Sequence, residues 1–215
     1  LNRRYVGRAI EFQRAALDAS AAVKSGENLL QIRVHALSPK YAWRGLDQDV
    51  WLERRPTGPT LAWADLHPLV AAKRLEVVAH VTGEAKGARI AVRLFDLDGN
   101  AVHEGSAPAE TGTIRFAFDT PKLQPWHPGR PRLHIAKVSL ERDGKVLDAL
   151  YPIRFGYRQL EVRGGDFYLN GRKFHIRGQA APPFGRFEFN AAEAAIREWI
   201  GQMKAVHVNA VREYA

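Results

Sequence analysis

The chain has no cysteine and a single methionine in 215 residues. The first absence excludes disulfides, thiolate metal sites and cysteine nucleophiles. It does not fix the compartment, and localisation is left unassigned. No stretch approaches the run of about 20 apolar residues that a helical membrane span requires, so no membrane partner is expected. No initiator methionine or signal-peptide pattern stands at Leu1-Asn2-Arg3-Arg4. That start reads as the middle of a longer protein. The eight histidines show neither H-x-H nor H-x-x-x-H spacing. A metal site needs several converging ligands, so no metal is expected, and no cofactor either. Gly164-Gly165 opens no G-x-x-x-x-G-K pattern and reads as a linker turn rather than a phosphate loop.

What the chain does have is apolar content of 46% with 26% charged residues, enough for a packed core. The net charge is +9. Its basic residues are scattered in small groups such as Arg3-Arg4, Arg54-Arg55 and Arg130/Arg132. None is the run of about five or more like charges that marks a nucleic-acid tail. No basic-aromatic platform stands in for one, so no nucleic-acid partner is expected.

Hydrophobic alternation of period two dominates. It runs through Leu30-Gln31-Ile32-Arg33-Val34, through Leu75, Val77, Ala79 and Val81, and through Ile90, Val92 and Leu94. It returns in Ile114, Phe116 and Phe118. Each set reads as a half-buried strand. Asp98-Gly99 and Asp143-Gly144 are hairpin turn signals between strands. Pro56-Thr57-Gly58-Pro59 breaks the chain after Leu52-Glu53. The stretch from about 60 to 158 then has room for seven strands, close to the ~100 residues of an immunoglobulin-like sandwich.

The pattern changes after Arg158. Asp166 to Phe174 reads as a hairpin around Asn170-Gly171, and Phe174 to Gly178 as a strand ending in glycine. Asn190 with Glu193 makes a capping pattern ahead of a helix whose apolar face is Ile196, Trp199, Ile200 and Met203. Val206 to Arg212 reads as a buried parallel strand. Strand, helix, strand is one βαβ unit.

Several segments, in order, resemble glycoside hydrolase family 2, the family of β-galactosidases, β-glucuronidases and β-mannosidases. Lys24-Ser25-Gly26-Glu27-Asn28-Leu29 through Val34 resembles the closing part of its N-terminal jelly roll. Gly45-Leu46 with Val50-Trp51-Leu52-Glu53 is similar to that domain's exit strand. Trp126-His127-Pro128-Gly129-Arg130-Pro131-Arg132-Leu133 resembles W-x-P-x-x-P-x-L of the immunoglobulin-like domain, and Phe155-Gly156-Tyr157-Arg158 the F-G-x-R that ends it. Phe167 to Lys173 with Arg177-Gly178 resembles the start of the barrel, and Met203-Lys204 with Asn209 to Arg212 its M-K…N-x-V-R.

The resemblance implies a mainly β chain in three parts. Residues 1–56 would be the C-terminal part of a jelly roll, and 57–158 an immunoglobulin-like β-sandwich. Residues 159–215 would be the incomplete beginning of a (β/α)₈ barrel. It implies a retaining glycosidase acting on a carbohydrate substrate, with one glutamic acid as proton donor and a second as nucleophile. In the family both glutamates come from later barrel strands, so no catalytic residue is assigned in this chain. Arg212 matches the family's arginine at the C-terminal end of the second barrel strand and is the one substrate-binding candidate. Departures lie at Glu213-Tyr214-Ala215 after that arginine and at Gln179 to Phe184 after the first strand, and they put galactosidase or glucuronidase specificity in doubt.

Other residues have plainer readings. Glu213 reads as solvent-facing or arginine-pairing, Trp199 as core, and Trp51 and Trp126 as packing. Trp43, beside Tyr41, is the one reasonable sugar-stacking candidate, with packing favoured. The alternative to a glycosidase segment is a non-catalytic carbohydrate-binding or adhesive β-sandwich protein. Sugar, linkage and oligomeric state are not legible.

Overall fold

The computed structural model of the chain describes residues 1–8, 16–34, 50–180 and 193–212. It divides into two compact units, Leu1–Glu53 and Arg54–Ala215.

The first unit is organised by asparagines. The Asn28 side chain accepts from the Lys24 N–H (3.0 Å) and the Asn2 amide (2.8 Å) and donates to the Lys24 and Gly26 carbonyls (2.9 and 2.8 Å). Gly26 sits at φ 80°, where a side chain would strain the turn. Asn2 then ties Leu29 through its backbone N–H and its Oδ1, both at 2.9 Å. The Leu30–Val34 alternation does not produce a strand here. These residues form no ladder, and Leu30, Ile32 and Val34 are each about half exposed. Alternation supplies one face of a strand but not the neighbour that a ladder needs. Val50 to Glu53 are likewise exposed and unladdered.

The second unit holds a β-sandwich. One sheet has the order β1-β2-β5, with β1 Thr60–Leu69, β2 Arg74–Thr82 and β5 Gly112–Asp119. The other has the order β4-β3-β6-β7, with β3 Arg89–Phe95, β4 Ala101–Pro108, β6 His134–Arg142 and β7 Lys145–Ala149. β8 (Ile153–Phe155) also pairs with β6. β7 and β8 share one edge of β6, and Pro152, which has no N–H to give a ladder, falls between them. The seven expected strand positions are therefore filled by eight strands.

The inward sets are those read from the alternation. Leu75, Val77, Ala79, Val81, Ile90, Val92 and Leu94 are fully buried, and Ile114, Phe116 and Phe118 pack against them. Burying each such Val, Leu or Ile contributes roughly 1.5–3 kcal/mol. Tight turns close the hairpins. Asp143 and Gly144 (φ 51° and 74°) have the paired positive dihedrals of a type I′ turn.

One glycine is required by packing. A Cβ on Gly105 of β4 would lie 2.2 Å from Cγ of Phe118 on β5. Gly105→Ala must push that ring out of the core, which costs about 2 kcal/mol or more. Urea unfolding of this variant is expected to show a lowered midpoint with an unchanged slope.

The F-G-x-R segment closes the sandwich. Tyr157 is buried; its hydroxyl donates to the Arg74 carbonyl (3.1 Å) and accepts from Thr120 Oγ1 (3.0 Å). Burial raises its phenol pKa, partly offset by the Thr120 bond. A side chain on Gly156 would meet the Trp126 indole at 2.9 Å, and the Arg158 guanidinium lies 4.5 Å from that ring's centre. Trp126 is thus a packing residue, as expected.

A three-stranded meander follows, with order β11-β10-β9: β9 Leu160–Arg163, β10 Asp166–Leu169 and β11 Arg172–Lys173. Gly164-Gly165 is its first hairpin turn, with φ values of 58° and 85°, rather than a linker. Asn170-Gly171 is the second, as its sequence announces. Asn170 also secures the meander to the sandwich. Its amide donates to the Trp126 carbonyl (2.9 Å), and its Oδ1 accepts from the Gln159 N–H (2.9 Å).

Candidate functional site

The sequence places its one candidate side chain, Arg212, at the end of the βαβ unit. β12 (Gly178–Ala180) and β13 (Ala210–Arg212) pair in parallel, with Ala180 opposite Arg212. Between them in sequence runs helix α1, Glu193–Ala205. Lys204 in its last turn complements the negative end of the helix dipole. The chain then reverses through His207, a non-glycine residue at φ 61°.

Both strands are shorter than the sequence suggests. The first begins at Gly178 instead of ending there, and the second begins at Ala210 rather than Val206. The reason lies in Asn209. Its Oδ1 accepts from the Arg177 N–H and its Nδ2 donates to the His175 carbonyl, both at 2.8 Å. Side-chain bonds thus replace ladder bonds below the parallel pair. Arg177 adds a bond from Nε to the His207 carbonyl (2.8 Å). The asparagine and arginine of these motifs, Asn209 and Arg177, are therefore struts.

Arg212 is exposed at the C-terminal end of β13. An arginine at the C-terminal rim of parallel strands presents a planar, permanently charged fork that suits a carboxylate or a sugar hydroxyl. Glu213, Trp43, Asn190 and the segment from Ala181 to Phe184 lie outside the described residues. Among the described residues, no group of three or more His, Cys, Asp or Glu could hold a metal ion, and no helix is long and apolar enough to cross a membrane. The helix face expected to be core is partly open: Trp199 and Met203 are half-buried, while Ile196 and Ile200 are exposed.

Residues 64–158, which span most of the sandwich and the F-G-x-R closure, match the model of glycosyl hydrolases family 2. Over that stretch the chain is similar to glycosyl hydrolase family 2. Relatives extend the likeness beyond the sandwich. A β-galactosidase of Arthrobacter sp. (strain B7) is 29% identical over 91% of this chain and 19% of its own length. A putative β-glucuronidase of Formosa agariphila is 28% identical over 75% of the chain and 21% of its own length. The chain therefore spans about a fifth of the length of these curated relatives. Among solved structures, a glycosyl hydrolase family 2 member from Bacteroides cellulosilyticus aligns with TM-score 0.57 and 20% identity over 72% of this chain and 22% of that one. A β-glucuronidase from Ruminococcus gnavus aligns with TM-score 0.56 and 19% identity over 74% and 26%. These structural likenesses speak for the fold alone: a mainly β chain built on a β-sandwich.

Proposed function

We propose that this chain is part of a retaining glycoside hydrolase that cleaves O-glycosidic bonds in a carbohydrate. Residues 1–56 are the end of its jelly-roll domain, 57–158 its immunoglobulin-like sandwich and 159–215 the beginning of its (β/α)₈ barrel. The observation that carries the reading is the parallel pair β12–β13 joined through α1, with Arg212 at its C-terminal rim. That rim is where barrel enzymes assemble their sites. Arg212 there binds substrate and holds a catalytic carboxylate ionised through charge and paired hydrogen bonds. The two glutamates come from strands beyond those described.

The reading has a direct test. The parent enzyme is expected to release its sugar with the anomeric configuration kept, followed by NMR of the anomeric proton during hydrolysis. The 215-residue chain alone is expected to hydrolyse no 4-nitrophenyl glycoside. Inversion by the parent would overturn the retaining mechanism, and turnover by the purified chain would overturn the placement of the glutamates outside it.

A further inference from the structure

The outer face of the β1-β2-β5 sheet carries an aromatic feature that neither the core nor the candidate site uses. Trp63 on β1 stands opposite His80 on β2. Their rings are stacked, with centroids 5.7 Å apart and planes within 10°. His80 is itself held by Thr113 on β5, with 3.0 Å between Nδ1 and Oγ1. Three strands thus fix one ring. Trp63 is nevertheless 42% exposed, and among the described residues β1 is the edge of its sheet, with no further strand of that sheet beside the ring face turned from His80.

The surroundings define what suits that face. Asp65 follows on the same side of β1 and is exposed. Arg115 pairs with Glu76 at 2.6 Å and Arg74 with Asp119 at 3.3 Å, both on this face. Val78 lies between them, and its side chain is covered. A protein partner would want a contiguous apolar patch. Here one rigid ring stands among hydrated, mutually neutralised charges. That combination matches a molecule with an apolar C–H face and a hydroxyl rim.

We propose that Trp63, backed by His80, is a stacking subsite for a neutral pyranose ring, separate from the Arg212 rim. Asp65 and Thr113 supply hydrogen-bonding groups at its border. The subsite holds a carbohydrate chain without cleaving it. It does not depend on Arg212 or on the retaining mechanism.

The test is titration of the full ¹⁵N-labelled chain with cellotetraose and, separately, β-1,4-galactotetraose, read at the indole N–H signals. A saturable shift at Trp63 in the millimolar range is expected with at least one of them. Trp63→Ala should abolish the saturable shifts of the neighbouring β1 and β2 backbone amides while the other indole signals stay in place, and His80→Ala should weaken binding several-fold. Arg212→Ala should leave it unchanged, which separates failure here from failure of the glycosidase reading. Absence of a saturable shift at Trp63, or undiminished binding by Trp63→Ala, would overturn the proposal. In the parent enzyme, N-bromosuccinimide should oxidise Trp63 readily and sugar should protect it. Resistance of Trp63 without sugar would mean that polypeptide covers the ring, which also overturns it.

Discussion

Arg212→Ala in the parent enzyme is expected to lower kcat/KM by about 10- to 100-fold or more, with little change in thermal stability. The magnitude follows from the chemistry assigned to the residue. A charge-assisted, bidentate hydrogen bond to a carboxylate is worth roughly 1.5–3 kcal/mol, and an uncompensated charge in a closed site costs more. At about 1.4 kcal/mol per factor of ten, losing both bonds gives one to two decades or more. Stability should change little because Arg212 is exposed at a strand end, and the adjoining backbone is held by the Asn209 and Arg177 side chains. Arg212→Lys separates charge from geometry. It keeps the charge but not the planar fork, so it should recover only part of the loss. The pH profile adds a second readout. If the arginine holds a carboxylate ionised, its removal raises that group's pKa, and the acidic limb of kcat/KM should move to higher pH. An Arg212→Ala enzyme with undiminished kcat/KM would return the residue to a structural role.

The parts of the fold that were legible are those that local chemistry dictates. Asp143-Gly144 and Asn170-Gly171 announce turns because few other pairs tolerate two positive φ values in succession. The inward sets of β2, β3 and β5 were legible because one face of each is fully covered, so a period of two is enforced. What failed needed a partner that sequence pattern does not name. Leu30 to Val34 alternate as well as any strand in the sandwich, yet no ladder forms among the described residues. Phe174 to Gly178 look like a strand, but the Asn209 side chain takes the hydrogen bonds a neighbour would have made.

The candidate site divides the same way. Arg212 could be proposed because a motif fixes its distance from Asn209, and strand pairing sets it at the C-terminal end of β13. Trp63 could not. Its interest comes from standing opposite His80, a cross-strand register set partly by the bulge between Leu61 and Trp63. Trp43, the one sugar-stacking candidate in the sequence although packing is favoured for it, lies outside the described residues. Asn170 is an intermediate case: its glycine partner reveals the turn, while its bonds to Trp126 and Gln159 emerge only with the sandwich assembled.

Glu141→Gln is expected to destabilise the second unit by about 2–3 kcal/mol at neutral pH and to remove the Glu141 share of the stability lost below pH 4.5. Glu141 is buried on β6, with its side chain 6% exposed. Its carboxylate accepts from Arg93 at 2.7 and 3.3 Å, Arg89 at 3.1 Å and Ser139 at 2.8 Å. The Arg93 hydrogen bond, aided by those of Ser139 and Arg89 and opposed by burial, pulls its pKa from 4.5 to about 2. A carboxyl whose folded pKa is depressed binds protons more readily when unfolded. Its stabilisation is therefore complete above pH 4.5 and is lost as pH falls towards about 2. His103 and His134 act at higher pH. Burial, the larger cause for each, lowers both pKa values below 6.5. Their neutral forms are thus favoured in the fold, and stability falls as pH drops below 6.5. Urea midpoints from pH 7 to pH 2.5 separate the two contributions. The native chain and Glu141→Gln should lose stability in parallel through the histidine range. They should converge below pH 4.5, where only the native chain has the Glu141 carboxylate to protonate. Curves that stayed parallel down to pH 2.5 would show that the Arg93–Glu141–Arg89 cluster adds nothing to folding.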